Sequence, residues 1–245
     1  MFLKLQPLLY SLIFFIGLEL IVFFHANVLF IMFFLLLMAL FQGWKIGRKW
    51  KFSILPIFFV ISSVALLYLV TIRHYQQIYI ILAFVMYYLS LLGAYRLSKY
   101  ENDQTAKGMN TAASMATIFF TYAGAYGLYL NFLVPLYYLM LVYLVTTFFV
   151  SYQYFSIICI NKKKVWLYSL VVSLVMAEIA WTINFWPFGY LTSGAVALIL
   201  YFVLWDIIQK NFLDIIRKKR IIFNLIFFSV LASLVLISSK WIPVI

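Results

Sequence analysis

The chain has 245 residues, 67% of them hydrophobic and 10% charged, with a formal net charge of +12 and a mean hydropathy of +1.09. An ordinary soluble domain is about 45–50% apolar and about 25% charged, so a soluble enzyme is excluded, and an aromatic share of 21% excludes a disordered chain. A single cysteine excludes a disulfide framework. What remains is a polytopic membrane protein.

A helix crosses a bilayer with about 20 apolar residues. The first apolar stretch, residues 8–44, is 37 residues long. That is too long for one crossing, and it divides at His25-Ala26-Asn27 into spans 8–24 and 28–44. Lys4 precedes it and no small-residue cleavage site follows, which predicts an uncleaved signal anchor. Spans 53–72 and 77–95 come next, then 109–130, 133–155, 166–185, 189–208 and 221–239. Pro56, Pro135 and Pro187 fall near span ends, where a missing N–H costs little. The expected fold is therefore an all-α membrane bundle of about nine transmembrane helices, forming a single integral membrane domain over residues 1–245.

The fifth span is rich in small residues. Ala112-x-x-x-Ala116 and Ala123-x-x-x-Gly127 allow close approach of another helix and predict an interior position. Beyond the eighth span, Trp205, Ile208, Phe212 and Ile215 recur at helical spacing. They predict an amphipathic extension lying near the anionic inner leaflet. Residues 1–72 and 166–239 share a pattern: Glu19 and Glu178 each precede a polar residue, His25 or Asn184, by six positions.

The charge orients the chain. If the N-terminus is cytoplasmic, 16 of the 18 Lys and Arg residues fall on the inner side and only Arg73 and Lys240 outside. Positive loops stay in the cytoplasm, so the C-terminus is expected outside. The basic residues are split among short loops and form no nucleic-acid-binding module. The expected partners are the lipid bilayer and either a small solute or another membrane protein, with no nucleic acid.

Charges inside a bilayer are costly and mark functional candidates. Only Glu19 and Glu178 sit well inside spans. Glu178 heads a polar-aromatic stripe with Trp181 and Thr182, at positions i+3 and i+4; Glu19 has apolar neighbours in its own helix. Glu19, Glu178, Trp181 and Thr182 form the candidate intramembrane polar site. Asp206 is expected to pair with a nearby cation, and Glu101, Asp103 and Asp214 to be solvated. Cys159, with no motif around it, reads as a packing residue. His25 and His74 lack metal-ligand spacing. No G-x-S-x-G, P-loop, C-x-x-C or dinucleotide turn is present, so no cofactor, metal or catalytic set is expected.

The most distinctive stretch runs from Glu178-Ile179-Ala180-Trp181 to Phe185-Trp186-Pro187-Phe188-Gly189-Tyr190. Together with Tyr126-Gly127-Leu128-Tyr129 it resembles an uncharacterised family of multi-pass bacterial cytoplasmic-membrane proteins, over about the last half of the chain. The resemblance implies a bacterial inner-membrane location and carries no activity across. Three functions compete. Transport of a small solute, with proton coupling through the two glutamates, leads. A non-catalytic scaffold or assembly subunit is the alternative. An enzyme acting on lipid at the outer face, through Glu178 or His74, comes third.

Overall fold

The computed structural model describes residues 2–24, 27–132, 134–213 and 218–239. They form nine α-helices: α1 (Phe2–Phe23), α2 (Val28–Gly47), α3 (Ile54–Leu69), α4 (Arg73–Lys99), α5 (Gln104–Phe132), α6 (Leu136–Ile158), α7 (Lys162–Ile183), α8 (Tyr190–Phe212) and α9 (Lys218–Ser238). A short 3-10 helix, Trp50–Ser53, leads into α3. Seven of these helical segments are long and apolar enough to cross a membrane. The other two are α5, whose first turns carry Gln104, Thr105, Lys107 and Asn110, and α9, whose apolar part is Ile222–Ser238. The chain is an all-α integral membrane protein. The expectations for His25, Asp214, Ile215, Arg217 and the tail from Lys240 lie outside the described residues.

Several helices outlast their apolar stretches. The fourth and fifth spans, expected at 77–95 and 109–130, begin four and five residues earlier and end four and two residues later. Capping, rather than hydropathy, sets such ends. Asp103 starts α5 by accepting from the Ala106 N–H at 3.2 Å. Asn161 starts α7 by accepting from the N–H groups of Lys163 and Lys164. The α2 helix ends on Arg48, whose φ of 55° is left-handed and whose N–H returns to the Trp44 carbonyl.

Two compact units are present, Met1–Thr117 and Ile118–Ile245, and the boundary falls within α5. In unit 1, α1 packs most extensively on α4, and α2 contacts α1, α3 and α4. The core centres on Phe14, stacked on Tyr87 at 4.3 Å and edge-on to Phe59 at 5.9 Å. The Tyr87 hydroxyl donates to buried Gln42 Oε1 at 2.8 Å. Gly43 lets the 3-10 helix lie directly on α2: a Cβ there would stand 2.5 Å from the Ser53 Cα. Lys49 bonds Glu101 at 2.8 Å, so the basic α2–α3 and α4–α5 connections share one end of the unit.

In unit 2, α6 and α7 form a tight hairpin, with α8 against α7 and α9 against α8. Tyr122 and Tyr143 stack at 4.0 Å with rings 7° apart. Tyr122 bonds Thr147 at 2.6 Å, and Tyr201 bonds Ser151 at 3.1 Å. These buried hydroxyls all find partners, as the low-dielectric interior demands.

The small residues of α5 act as expected, with one shift in register. Ala123 is fully buried and lies against α8 at Gly194, where a Cβ would stand 2.9 Å from the Ala123 Cα. Nearer the helix start the buried pair is Ala113 and Thr117, while Ala112 and Ala116 are half-buried. The expected amphipathic extension of α8 is described only as far as Leu213. Trp205 and Ile208 are buried, and Phe212 packs edge-on against Phe155 and Tyr168. These three residues of its apolar face pack within unit 2, Trp205 and Phe212 against rings of α6 and α7.

Candidate functional site

Unit 1 has a cavity at its basic-poor end. Chain chemistry shapes it. Val70, Thr71 and Ile72 are β-branched and favour extended backbone; Val70 and Ile72 adopt it, with ψ of 110° and 117°. The α3 helix therefore stops at Leu69 and α4 restarts at Arg73. Gln76 fastens the turn, its Nε2 donating to the Val70 carbonyl at 2.6 Å.

The cavity has a volume of about 470 Å³, bounded by Ile21, Val22 and Phe23 of α1, Val28 of α2, Leu67 and Tyr68 of α3, and Thr71, Arg73 and Gln76 beyond. Ligand pockets commonly measure about 300–1,000 Å³. The wall is apolar on the α1 and α2 side and polar on the α4 side. Arg73 is exposed and joins none of the ion pairs among the described residues. Its guanidinium stands at the N-terminus of α4, where the helix dipole is also positive and no side chain caps the end. An anionic group is the natural complement.

Glu19 lies directly below. It is half-buried, and Gln77 Nε2 donates to its Oε2 at 3.1 Å. Glu19 precedes Phe23 by four residues on α1, and Gln77 follows Arg73 by four on α4. Ile21 and Gln76, which also line the cavity, are two residues and one residue from Glu19 and Gln77, so the bond sits just beyond the lining.

Glu178, Trp181 and Thr182 belong to unit 2, and all three are exposed. They lie on the outward face of α7, which runs Leu167, Val171, Leu174, Glu178, Trp181, Phe185 at alternating spacings of four and three. The opposite face, with Val172, Met176, Ala180 and Ile183, is buried. Trp181 meets Phe185 edge-on at 5.3 Å, and the Thr182 hydroxyl donates to its own helix at Ile179 O, 2.9 Å. Glu178 stands five residues from the end of α7 at Ile183, or about 7.5 Å along the axis.

Helical spacing thus gathers three of the four predicted residues on one face, while the fourth, Glu19, is joined to Gln77. Asp206 pairs as expected, with Lys210 at 2.5 Å, and it also accepts from Asn224 of α9 at 2.8 Å. The solvated reading fits Glu101, which is exposed; Asp103 is tied instead to Arg96 at 2.7 Å and to the start of α5. Sequence reasoning missed Gln77 as the partner of Glu19, and Arg73, Gln76 and Tyr68 as cavity-lining residues. A signal was there: Arg73-His74-Tyr75-Gln76-Gln77 is a polar run at an end otherwise almost free of charge.

The profile of a family described as "Protein of unknown function (DUF5656)" matches residues 38–239. The match spans most of the chain, which therefore belongs to this family. No curated protein and no solved structure matches it.

Proposed function

We propose that this DUF5656 chain transports a small solute across the cytoplasmic membrane of a bacterium, with Glu19 carrying a coupled proton. The observation that supports this reading is the cavity of about 470 Å³ that places Arg73 and Gln76 above the Glu19–Gln77 pair. The basic connections are cytoplasmic by the positive-inside rule, which turns the cavity outward. An anionic group of the solute meets Arg73. Glu19 takes up a proton as the site closes, so that less charge has to cross the apolar interior. The test uses proteoliposomes loaded with a pH-sensitive dye and given an inward gradient of succinate or glutamate in turn, with protein-free liposomes as the baseline. At least one should acidify the lumen. Glu19→Gln should abolish the acidification yet keep binding, and Arg73→Ala should weaken binding. Uptake that survives both substitutions at full rate would sink the idea.

One observation favours the assembly reading as a second. Glu178 stands exposed in the middle of an otherwise apolar face of α7. A neighbouring membrane helix with a hydrogen-bond donor at that height would cover it. If so, single cysteines at Val171 and Leu174 should cross-link to another chain, and Glu178→Leu should reduce the yield. Cross-links confined to random collision levels at both positions would argue against it.

A further inference from the structure

The α6–α7 hairpin of unit 2 carries a second pocket that the transport reading does not use. Its volume is about 460 Å³, and its lining is Tyr152, Lys162, Lys163, Trp166 and Leu167. Tyr152 lies six residues before the end of α6 at Ile158, and Trp166 and Leu167 lie one turn into α7. The pocket therefore reaches from the basic connection into the apolar zone. Phe148 supports both aromatics, edge-on to Trp166 at 6.1 Å and stacked on Tyr152 at 6.1 Å. Lys162 and Lys163 are exposed, and neither joins an ion pair among the described residues. No Asp or Glu occurs between Asp103 and Glu178, so α6 and the first four turns of α7 carry no acid. The α7 N–H groups of Lys163 and Lys164 are already taken by Asn161. The unmatched charge is thus on the ammonium groups.

We propose that this pocket binds an anionic phospholipid, its phosphate between Lys162 and Lys163 and its acyl chain along Tyr152, Trp166 and Leu167. The two halves of the lining call for two halves of a ligand. Cations at the rim need an anion, and the carbon wall below needs a chain. A free phosphate would satisfy only the first. Lysine stems lying on apolar surface with their heads at the interface are suited to this arrangement, and basic pockets between membrane helices are where anionic headgroups settle.

Quenching of Trp166 by brominated lipid tests the proposal in nanodiscs containing the full chain. The Trp166→Phe variant isolates the signal. Brominated phosphatidylglycerol should quench Trp166 at lower mole fraction than brominated phosphatidylcholine. Lys162→Gln or Lys163→Gln should each reduce that preference about 5-fold, and the pair about 30-fold, from the worth of a basic residue near an anionic surface. Lys45→Gln with Arg48→Gln removes equal charge from a different basic connection and should leave the preference within about 2-fold, because a headgroup seated on Lys162 and Lys163 does not need it. Equal quenching by the two lipids would overturn the proposal. So would an equal loss from the unit 1 pair, which would make the lysines diffuse charge. Displacement of the lipid by millimolar inorganic phosphate would reassign the site to a free anion.

Discussion

Each unit holds one carboxylate about a turn from the end of an apolar helix, and the two are treated differently. Glu19 in unit 1 is half-buried and bonded to Gln77 beside a cavity; Glu178 in unit 2 is exposed on the outward face of α7. Their local sequences look alike, since each is followed six residues later by a polar residue. The difference comes from the partner helix. The α1 helix packs most extensively on α4, which supplies Gln77, whereas α7 packs on α6 and α8 with its buried face. Gln77 lies on α4, beyond the stretch 1–72 in which the shared sequence pattern was read. A carboxylate in a membrane helix is thus given its role by the helix that meets it.

The largest expected effect is on packing, where the two units are alike. Gly194→Leu forces a side chain into the Ala123 backbone, 2.9 Å from where a Cβ would sit. Overpacking of this kind costs about 1–3 kcal/mol, occasionally more, so the thermal unfolding midpoint in detergent should fall clearly. An unchanged midpoint would mean that α8 does not rest on α5. Next comes Tyr87→Phe in unit 1. It strands Gln42 Oε1, whose residue is 2% exposed, for a loss of about 1–3 kcal/mol. Adding Gln42→Leu should recover part of that loss; a double variant worse than the single one would contradict the bond.

The direct test of the comparison is smaller. Glu19→Leu leaves the Gln77 amide without its partner in a half-buried place, costing about 0.5–1.5 kcal/mol. Glu178→Leu removes an exposed charge from an apolar face, and stability should change by no more than about 0.5 kcal/mol in detergent. A larger cost at Glu178 than at Glu19 would reverse the comparison, and would itself speak for a neighbour bound at α7.

Much of the fold was legible because bilayer thickness is a strong rule. Apolar runs of about 20 residues located all nine helices, even where 28–44 had to be parted from 8–24. What hydropathy could not reveal were the helix ends. Asp103 and Asn161 set the starts of α5 and α7 by capping, so these helices begin in polar sequence at Gln104 and Lys162. The interior tyrosines were also missed. Tyr87, Tyr122, Tyr143 and Tyr201 look like interface residues by composition, yet each is fully enclosed with a bonded hydroxyl. Glu19 was legible as a costly charge, but Gln77 is 58 residues away in sequence. No local pattern joins residues that distant. The burial of Trp205 and Ile208 on α8 was illegible for the same reason, since periodicity shows that a face is apolar and not what covers it.

The smallest expected effect lies at the basic end of unit 1 and depends on pH. The Lys49 ammonium, by its hydrogen bond and its charge, holds the Glu101 carboxyl below its ordinary value. The Ala106 N–H, and then Arg96, does the same for Asp103. A carboxyl lowered in the folded state stabilises the fold above its ordinary value, and that contribution is lost as the pH falls through the lowered one. The protection of the Ala106 amide against hydrogen exchange should therefore hold at neutral pH and decline below about pH 4. Asp103→Asn keeps an acceptor for the cap but has no proton to gain, so its protection should stay level across the same range. Glu101→Gln, on the exposed pair, should leave the decline nearly unchanged. A level wild-type profile, or a decline that persists in Asp103→Asn, would show that this cap is not what anchors the start of α5.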